Sequence, residues 1–217
     1  MIKSILSIIL TFSISIGVSQ DLSAWNYQII EKSNTAKKAG YLTADEKKVI
    51  HLMNLARIDG PKFYSTIAKP YLAEMNSNNF TRSLTNKLKK TKGLAPLKVD
   101  RVLYELAQSH ATAMGKYGKI GHDKYLQRMK PIQNKYNSLG ENCDYGFADP
   151  LTIVMRLLID EGNPEYGHRK AILNTEFIYV GSGNENESLD ALKSNDVRVV
   201  LPINFPAAYD VSDPRSE

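Results

Sequence analysis

A change of hydrophobic period limits the fold of this chain more than any other feature. As far as Leu173 the apolar residues recur at helical spacing: Val49, Ile50, Met53 and Ala56; Leu103, Leu106, Ala107, Met114 and Tyr117; Leu151, Val154, Met155, Leu158 and Ile159. Beyond it lie two strand-like runs, 177–183 and 197–205, the second alternating Val197, Val199, Leu201, Ile203 and Phe205 as a half-buried strand does. Helices first and paired strands last predict an α+β domain with helices packed on a mainly antiparallel sheet.

Local signals place the ends of these elements. Thr43-Ala-Asp-Glu46 reads as a capping box opening a helix that runs to about Arg57, where Gly60-Pro61 stops it. A short helix over 63–72 is interrupted by Pro70, and 76–93 is polar with Leu84 and Leu88 as anchors of a further helical turn. Asp100 is placed to cap a long helix, and Asp149-Pro150 to open another, proline costing nothing at a first helical position. The polar connection 184–196 reads as an exposed hairpin loop, and Pro202 marks a strand edge or end.

Residues 1–19 form a different kind of segment: Lys3, an apolar run from Ile5 to Val18, then small residues. That is the pattern of a secretory signal peptide cut near Ser19–Gln20, the alternative being an uncleaved anchor. The expected organisation is a signal at 1–19, a loosely packed leader at 20–42, a folded domain at 43–206 and a tail at 207–217. The protein is then secreted or periplasmic, with no transmembrane segment after cleavage. Cys143 stands alone in the sequence, so an exported domain must hold together without an intrachain disulfide. The formal net charge is +5, and Lys87, Lys89, Lys90 and Lys92 cluster without aromatic interleaving or a nucleic-acid motif. No nucleic-acid partner is expected, and the lysines read as a solvated connection.

The chemistry-bearing side chains gather near element ends. His110 falls on an apolar helix stripe and reads as a hydrogen-bonded core residue. His122 follows Gly118 and Gly121 in a loop, free to face a cleft. Glu141 sits in Gly-Glu-Asn, and His168 in Gly-His-Arg. Carried round the helical wheel from Leu151, Glu161 falls at the margin of the buried stripe and Asp160 nearly opposite its centre, which predicts a half-buried Glu161 and a solvated Asp160. Two imidazoles and two carboxylates can take a divalent ion, as ligands or as orienting partners. No pair has the i, i+4 separation of a helical zinc motif, so spacing alone does not define the site.

The ordered set Met53-Asn-Leu-Ala-Arg57, Leu103–Met114, His122, Gly140-Glu-Asn142, the helix ending Asp160-Glu-Gly162, Gly167–Leu173 and Val180–Gly183 resembles the CAP superfamily domain. This is the group of cysteine-rich secretory proteins, antigen 5 and pathogenesis-related proteins, and the likeness is to its bacterial branch. The resemblance implies a three-layer α-β-α sandwich with a central cleft. It also implies a tetrad of two His and two acidic residues, matched by His122, Glu141, Glu161 and His168, that binds zinc or another divalent metal in some members. Met53 stands where the family motif has histidine, the family's eukaryotic disulfides are absent, the tryptophan common on the third-place helix is replaced near Leu158, and Arg169-Lys-Ala replaces an aromatic segment.

Three functions follow as expectations. The first is an exported binding module whose cleft takes a lipid, glycan or protein ligand, with His122 and His168 as metal ligands and Glu141 and Glu161 lining the cleft. The second is a zinc-dependent hydrolase acting on peptide or ester substrates, with Glu141 or Glu161 as the base on a metal-bound water. The third makes Cys143 a nucleophile, set against the plainer reading of a buried inert thiol.

Overall fold

The computed structural model describes residues 22–136, 138–185 and 197–204. Its helices are α1 (Tyr27–Ser33), α2 (Ala44–Ile58), α3 (Gly60–Phe63), α4 (Lys69–Ala73), α5 (Asn79–Lys90), α6 (Arg101–Tyr117), α7 (Tyr125–Met129), α8 (Pro150–Ile159) and α9 (Gly167–Ile172). The strands are β1 (Lys98–Val99), β2 (Ser138–Leu139), β3 (Asn142–Tyr145), β4 (Tyr179–Glu185) and β5 (Val197–Asn204). The segment 1–19, the tail 207–217, the connection 186–196 and the side chains whose alternation suggested the last strand lie outside the described residues.

The capping signals act as read. Thr43 and Glu46 exchange their hydrogen bonds at the start of α2, Asp100 accepts from the Leu103 amide at α6, and Asp149 accepts from the Thr152 amide at α8. Past Gly60 the chain does not leave helix, because α3, a π-helical turn over Tyr64–Ala68 and α4 follow in succession. Gly60 is required there for close approach: an added Cβ would lie 2.4 Å from the Leu88 carbonyl oxygen and 2.6 Å from that of Thr91.

The sheet is mixed. β4 and β5 pair antiparallel at its centre, β2 and β3 both add antiparallel to β5, and β1 lies parallel to β4 at the other edge. Helices cover both faces. On one face α6 lies so close that a Cβ on Gly181 would meet the Leu103 carbonyl carbon at 2.1 Å, and one on Gly183 the Gln108 nitrogen at 2.2 Å. These alternate glycines let the α6 backbone rest on the strand. Leu103, Ala107, Ala111 and Met114 then pack with Met129, Ile132 and Cys143. Val180, the residue just before Gly181, faces the other way into a cluster with Val49 and Leu52 of α2 and Ile153 and Val154 of α8. The result is an α+β fold of the α-β-α type.

Two motif residues from the early helix serve this assembly. Arg57, 0% exposed, donates to the carbonyls of Ala95, Ile172, Asn174 and Phe177. Asn54 donates to the Ser33 and Leu97 carbonyls and accepts from the Leu97 amide. A fixed planar donor fork and a two-sided amide suit converging carbonyls in a dry interior. The segment before α2, expected to pack loosely, is instead part of the core. Trp25, Ala36 and Leu42 are buried, Trp25 Nε1 donates to Thr66 Oγ1 at 3.1 Å, and Thr35 Oγ1 donates to the Leu97 carbonyl at 2.6 Å.

Candidate functional site

α6 ends at Tyr117 on Gly118 in a left-handed C-cap, and Gly121 and Lys124 also take positive φ, so the loop folds back across the helix end. This carries His122 to Glu141, the residue just before β3. His122 Nδ1 lies 2.9 Å from Glu141 Oε1. Arg128, on α7, closes a two-pronged bridge on the same carboxylate: Nη1 donates to Oε2 at 2.6 Å and Nη2 to Oε1 at 2.8 Å. The Glu141 side chain is 1% exposed, whereas the His122 imidazole is 47% exposed. Burial alone would raise the Glu141 pKa, but hydrogen bonds from His122 and Arg128 outweigh it and hold the carboxyl at about 2, below its ordinary 4.5.

His110 and Cys143 back this pair. His110 Nε2 is 3.1 Å from the Gly121 carbonyl and 3.8 Å from Glu141 Oε1. A carbonyl only accepts, so Nε2 carries the proton. Desolvation lowers the His110 pKa, against the pull of Glu141, and the ring is neutral near neutral pH. Cys143 Sγ lies 3.7 Å from His122 Nδ1, and burial, helped by the Glu141 charge, pushes the thiol up to about 12. A group so reluctant to ionise is a poor nucleophile, which removes the chemical basis for the third reading.

A second His–carboxylate pair forms where α8 meets α9. His168 Nδ1 lies 2.8 Å from Asp160 Oδ1, and the Arg169 amide donates to Asp160 Oδ2 at 3.2 Å. Asp160 is 3% exposed, and these bonds hold its carboxyl below its ordinary value although burial opposes them. The expectation of a solvated Asp160 and a half-buried Glu161 is therefore corrected. α8 stops at Ile159 and Asp160 takes a left-handed φ of 59°, so a helical wheel extended past Ile159 points in the wrong direction. Glu161 is exposed and accepts from Asn78 Nδ2 at 2.7 Å. Arg169 fixes the turn from inside, donating to the carbonyls of Leu158 and Ile159 at the C-terminus of α8. Those carbonyls have no partner within the helix, so the guanidinium supplies one.

β3 links the two pairs. Asn142 Nδ2 donates to the His168 carbonyl at 3.2 Å, and Cys143, beside His122, also lines a cavity of about 270 Å³ that His168 and Asp160 border. Met75, Phe147 and Leu157 supply apolar wall, and Arg156 lies with its guanidinium 4.2 Å from the Phe147 ring centre and its Nε 2.8 Å from Asp144. Glu161 stands on the same cavity.

The donors suit a metal unevenly. In both pairs the carboxylate faces Nδ1 of the ring, the arrangement in which a carboxylate orients a histidine whose Nε2 takes a metal. Among the described residues, the His, Cys, Asp and Glu group whose donor atoms all lie within 4.8 Å of one another is different: His110, Glu141 and Cys143. By donor type it can hold a metal ion, yet Glu141 is already engaged by Arg128, His110 Nε2 is turned to a carbonyl and Cys143 keeps its proton.

Residues 82–188 match the CAP family, the cysteine-rich secretory protein family. Over that stretch the chain carries a CAP-family domain. It is 27% identical over 161 residues to the uncharacterized protein YkwD of Bacillus subtilis (strain 168), covering 72% of this chain and 60% of that one. It is 31% identical over 105 residues to the uncharacterized membrane protein YlbC of the same organism, covering 46% of this chain and 29% of that one. The chain thus spans less than two thirds of either relative. Among solved structures it is similar to an extracellular SCP-domain protein of Bacillus anthracis (19% identity, 76% of this chain and 45% of that one, TM-score 0.44). It is also similar to a cysteine-rich secretory protein of Staphylococcus aureus (22% identity, 58% and 38%, TM-score 0.41). Among the described residues no helix is long and apolar enough to cross a membrane.

The structure places His122 on Glu141 and His168 on the cavity, and adds Arg128, Asp160 and the approach of His110, which the sequence did not mark. One signal was present: Asp160 stands at the end of an apolar helix two residues before Gly162, and an aspartate is a residue able to take the left-handed cap.

Proposed function

We propose that this protein is an exported binding module that takes a lipid, glycan or peptide ligand in the cavity between β3, α8 and α9. The observation that carries this reading is the cavity itself: about 270 Å³, lined by apolar Met75, Phe147 and Leu157 together with polar His168, Asp160 and Arg156. Apolar wall supplies affinity and a few anchored polar groups supply orientation. His122 and His168 are the proposed metal ligands. A divalent ion such as zinc, when bound, would supply a Lewis-acidic point for an anionic or carbonyl group of the ligand. Export rests on the signal-like segment at 1–19.

The zinc-hydrolase reading has less support. A hydrolytic base needs a carboxylate able to gain and lose a proton near neutral pH, and Glu141 is held at about 2 beneath an arginine fork. Glu161 is exposed and bonded to Asn78 at the cavity rim.

The test is isothermal titration of the protein with lipid, cell-wall glycan and peptide panels, paired with Leu157→Trp to fill the cavity. Heat with one panel that vanishes in Leu157→Trp supports the reading. Silence across all panels, or binding unchanged in the filled variant, sinks it. N-terminal sequencing of exported protein tests the cleavage near Ser19–Gln20.

A further inference from the structure

The donors His110, Glu141 and Cys143 do not serve the cavity wall as a set, and their convergence calls for its own account. Their ligand atoms lie within 4.8 Å of one another, and nitrogen, oxygen and sulfur are the donor types of a transition-metal site. A protein cation already engages one of the three donors, Glu141. Arg128 Nη1 and Nη2 take the two Glu141 oxygens at 2.6 and 2.8 Å, with His122 Nδ1 on Oε1 at 2.9 Å.

We propose that Arg128 is a resident counter-cation that closes a latent His110–Glu141–Cys143 metal site, so that a divalent transition metal enters it only when the guanidinium leaves. The two-pronged geometry matters. A monodentate partner would leave one carboxylate oxygen for an incoming ion, whereas the fork takes both. The guanidinium charge also stands against Glu141, and a dication on the same carboxylate would be repelled by it at short range in a dry site. Metal entry would further require Cys143 to release its proton to solvent and His110 to turn its nitrogen from the Gly121 carbonyl, which lies 3.1 Å away. Arg128 thereby separates two kinds of metal binding in one domain. The exposed imidazole of His122 and the half-buried one of His168 stay accessible, and the buried three-donor group is shut.

Lone Cys143 makes the test selective. Co²⁺ bound to a thiolate gives a charge-transfer absorption in the near ultraviolet, and this chain has one cysteine to give it. Titrating Co²⁺ and Zn²⁺ into the wild-type protein should give no such band. Arg128→Gln, which removes the charge but keeps an amide for Glu141, should develop it. The variant should bind Zn²⁺ at least tenfold more tightly than wild type, the gain being lost on adding Cys143→Ser or His110→Gln and kept on adding His168→Ala. A thiolate band in the wild-type protein overturns the proposal whatever the variant does, including the case where Arg128→Gln fails to fold. A folded Arg128→Gln without the band, or with tighter zinc binding that survives Cys143→Ser, overturns it as well. Neither result bears on the cavity ligand, which is read separately with Leu157→Trp.

Discussion

The two histidine–carboxylate pairs share one hydrogen-bond pattern and differ in almost everything around it. In each, a buried carboxylate takes Nδ1 of a more exposed imidazole, at 2.9 Å for Glu141–His122 and 2.8 Å for Asp160–His168. Around Glu141 the remaining valence is filled by an opposite charge, Arg128. Around Asp160 it is filled by neutral donors, the Arg169 amide and the Asn163 side chain. The first pair is an electrostatically closed unit against α6. The second is a helix-terminus turn with an imidazole on the cavity. A shared pattern of residues therefore does not make two equivalent half-sites, and removing one group from each should separate them.

The largest effect belongs to Arg128. Arg128→Gln leaves Glu141 charged and dry, and breaking such a pair from one side destabilises by about 3 to 5 kcal/mol. Chemical denaturation at neutral pH checks it. The acid limb sharpens the comparison. A carboxyl held below its unfolded value contributes stability that is present above the ordinary 4.5 and is lost as pH falls toward about 2, so wild-type stability should fall through that window. Arg128→Gln should show a shallower fall, since the bonds and charge of Arg128 no longer help to depress the carboxyl and the His122 bond remains. An equally steep acid limb in the variant would assign the loss to other groups.

Next comes Asp160. Asp160→Ala removes the acceptor of His168 and of the Arg169 amide at a position 3% exposed, and an unmade buried hydrogen bond costs about 1 to 3 kcal/mol. The loss should be smaller than for Arg128→Gln, and it should be accompanied by a change in the His168 ring resonances. His122→Ala ranks third. Its imidazole is 47% exposed and Arg128 still satisfies both Glu141 oxygens, so a loss of about 1 kcal/mol or less is expected. A loss above that of Asp160→Ala would reverse the ranking of the two half-sites.

How far the sequence disclosed this depends on the range of the forces involved. Caps and stripes are local, so Thr43, Asp100 and Asp149 and the buried faces of α2, α6 and α8 were legible. The strand β3 was not: its four residues exist as a strand through pairing with β5, Cys143 standing opposite Val199, and nothing local announces that register. Arg128 was missed for a related reason. Its partner lies in another element, and an arginine thirteen residues from a glutamate carries no periodicity to mark it. The packing of Trp25 was hidden by the same distance, since Thr66 lies far along the chain.

The smallest predicted effect decides which acidic residue completes the second pair. Read on a continuous helix, Glu161 belongs beside His168 and Asp160 in water. The left-handed turn at Asp160 ends the helix one residue earlier, pulls the Asp160 carboxylate under the ring and releases Glu161 to the surface near Asn78. Glu161→Gln keeps an acceptor for Asn78 and alters one exposed charge, so its stability should stay within about 0.5 kcal/mol of wild type. The His168 ring resonances should stay in place, because Nδ1 bonds Asp160. Asp160→Asn should move them, since an amide presents one acceptor where a carboxylate presents two. If Glu161→Gln moved the His168 resonances and Asp160→Asn did not, the helix would continue through Asp160 in solution and the wheel would hold after all.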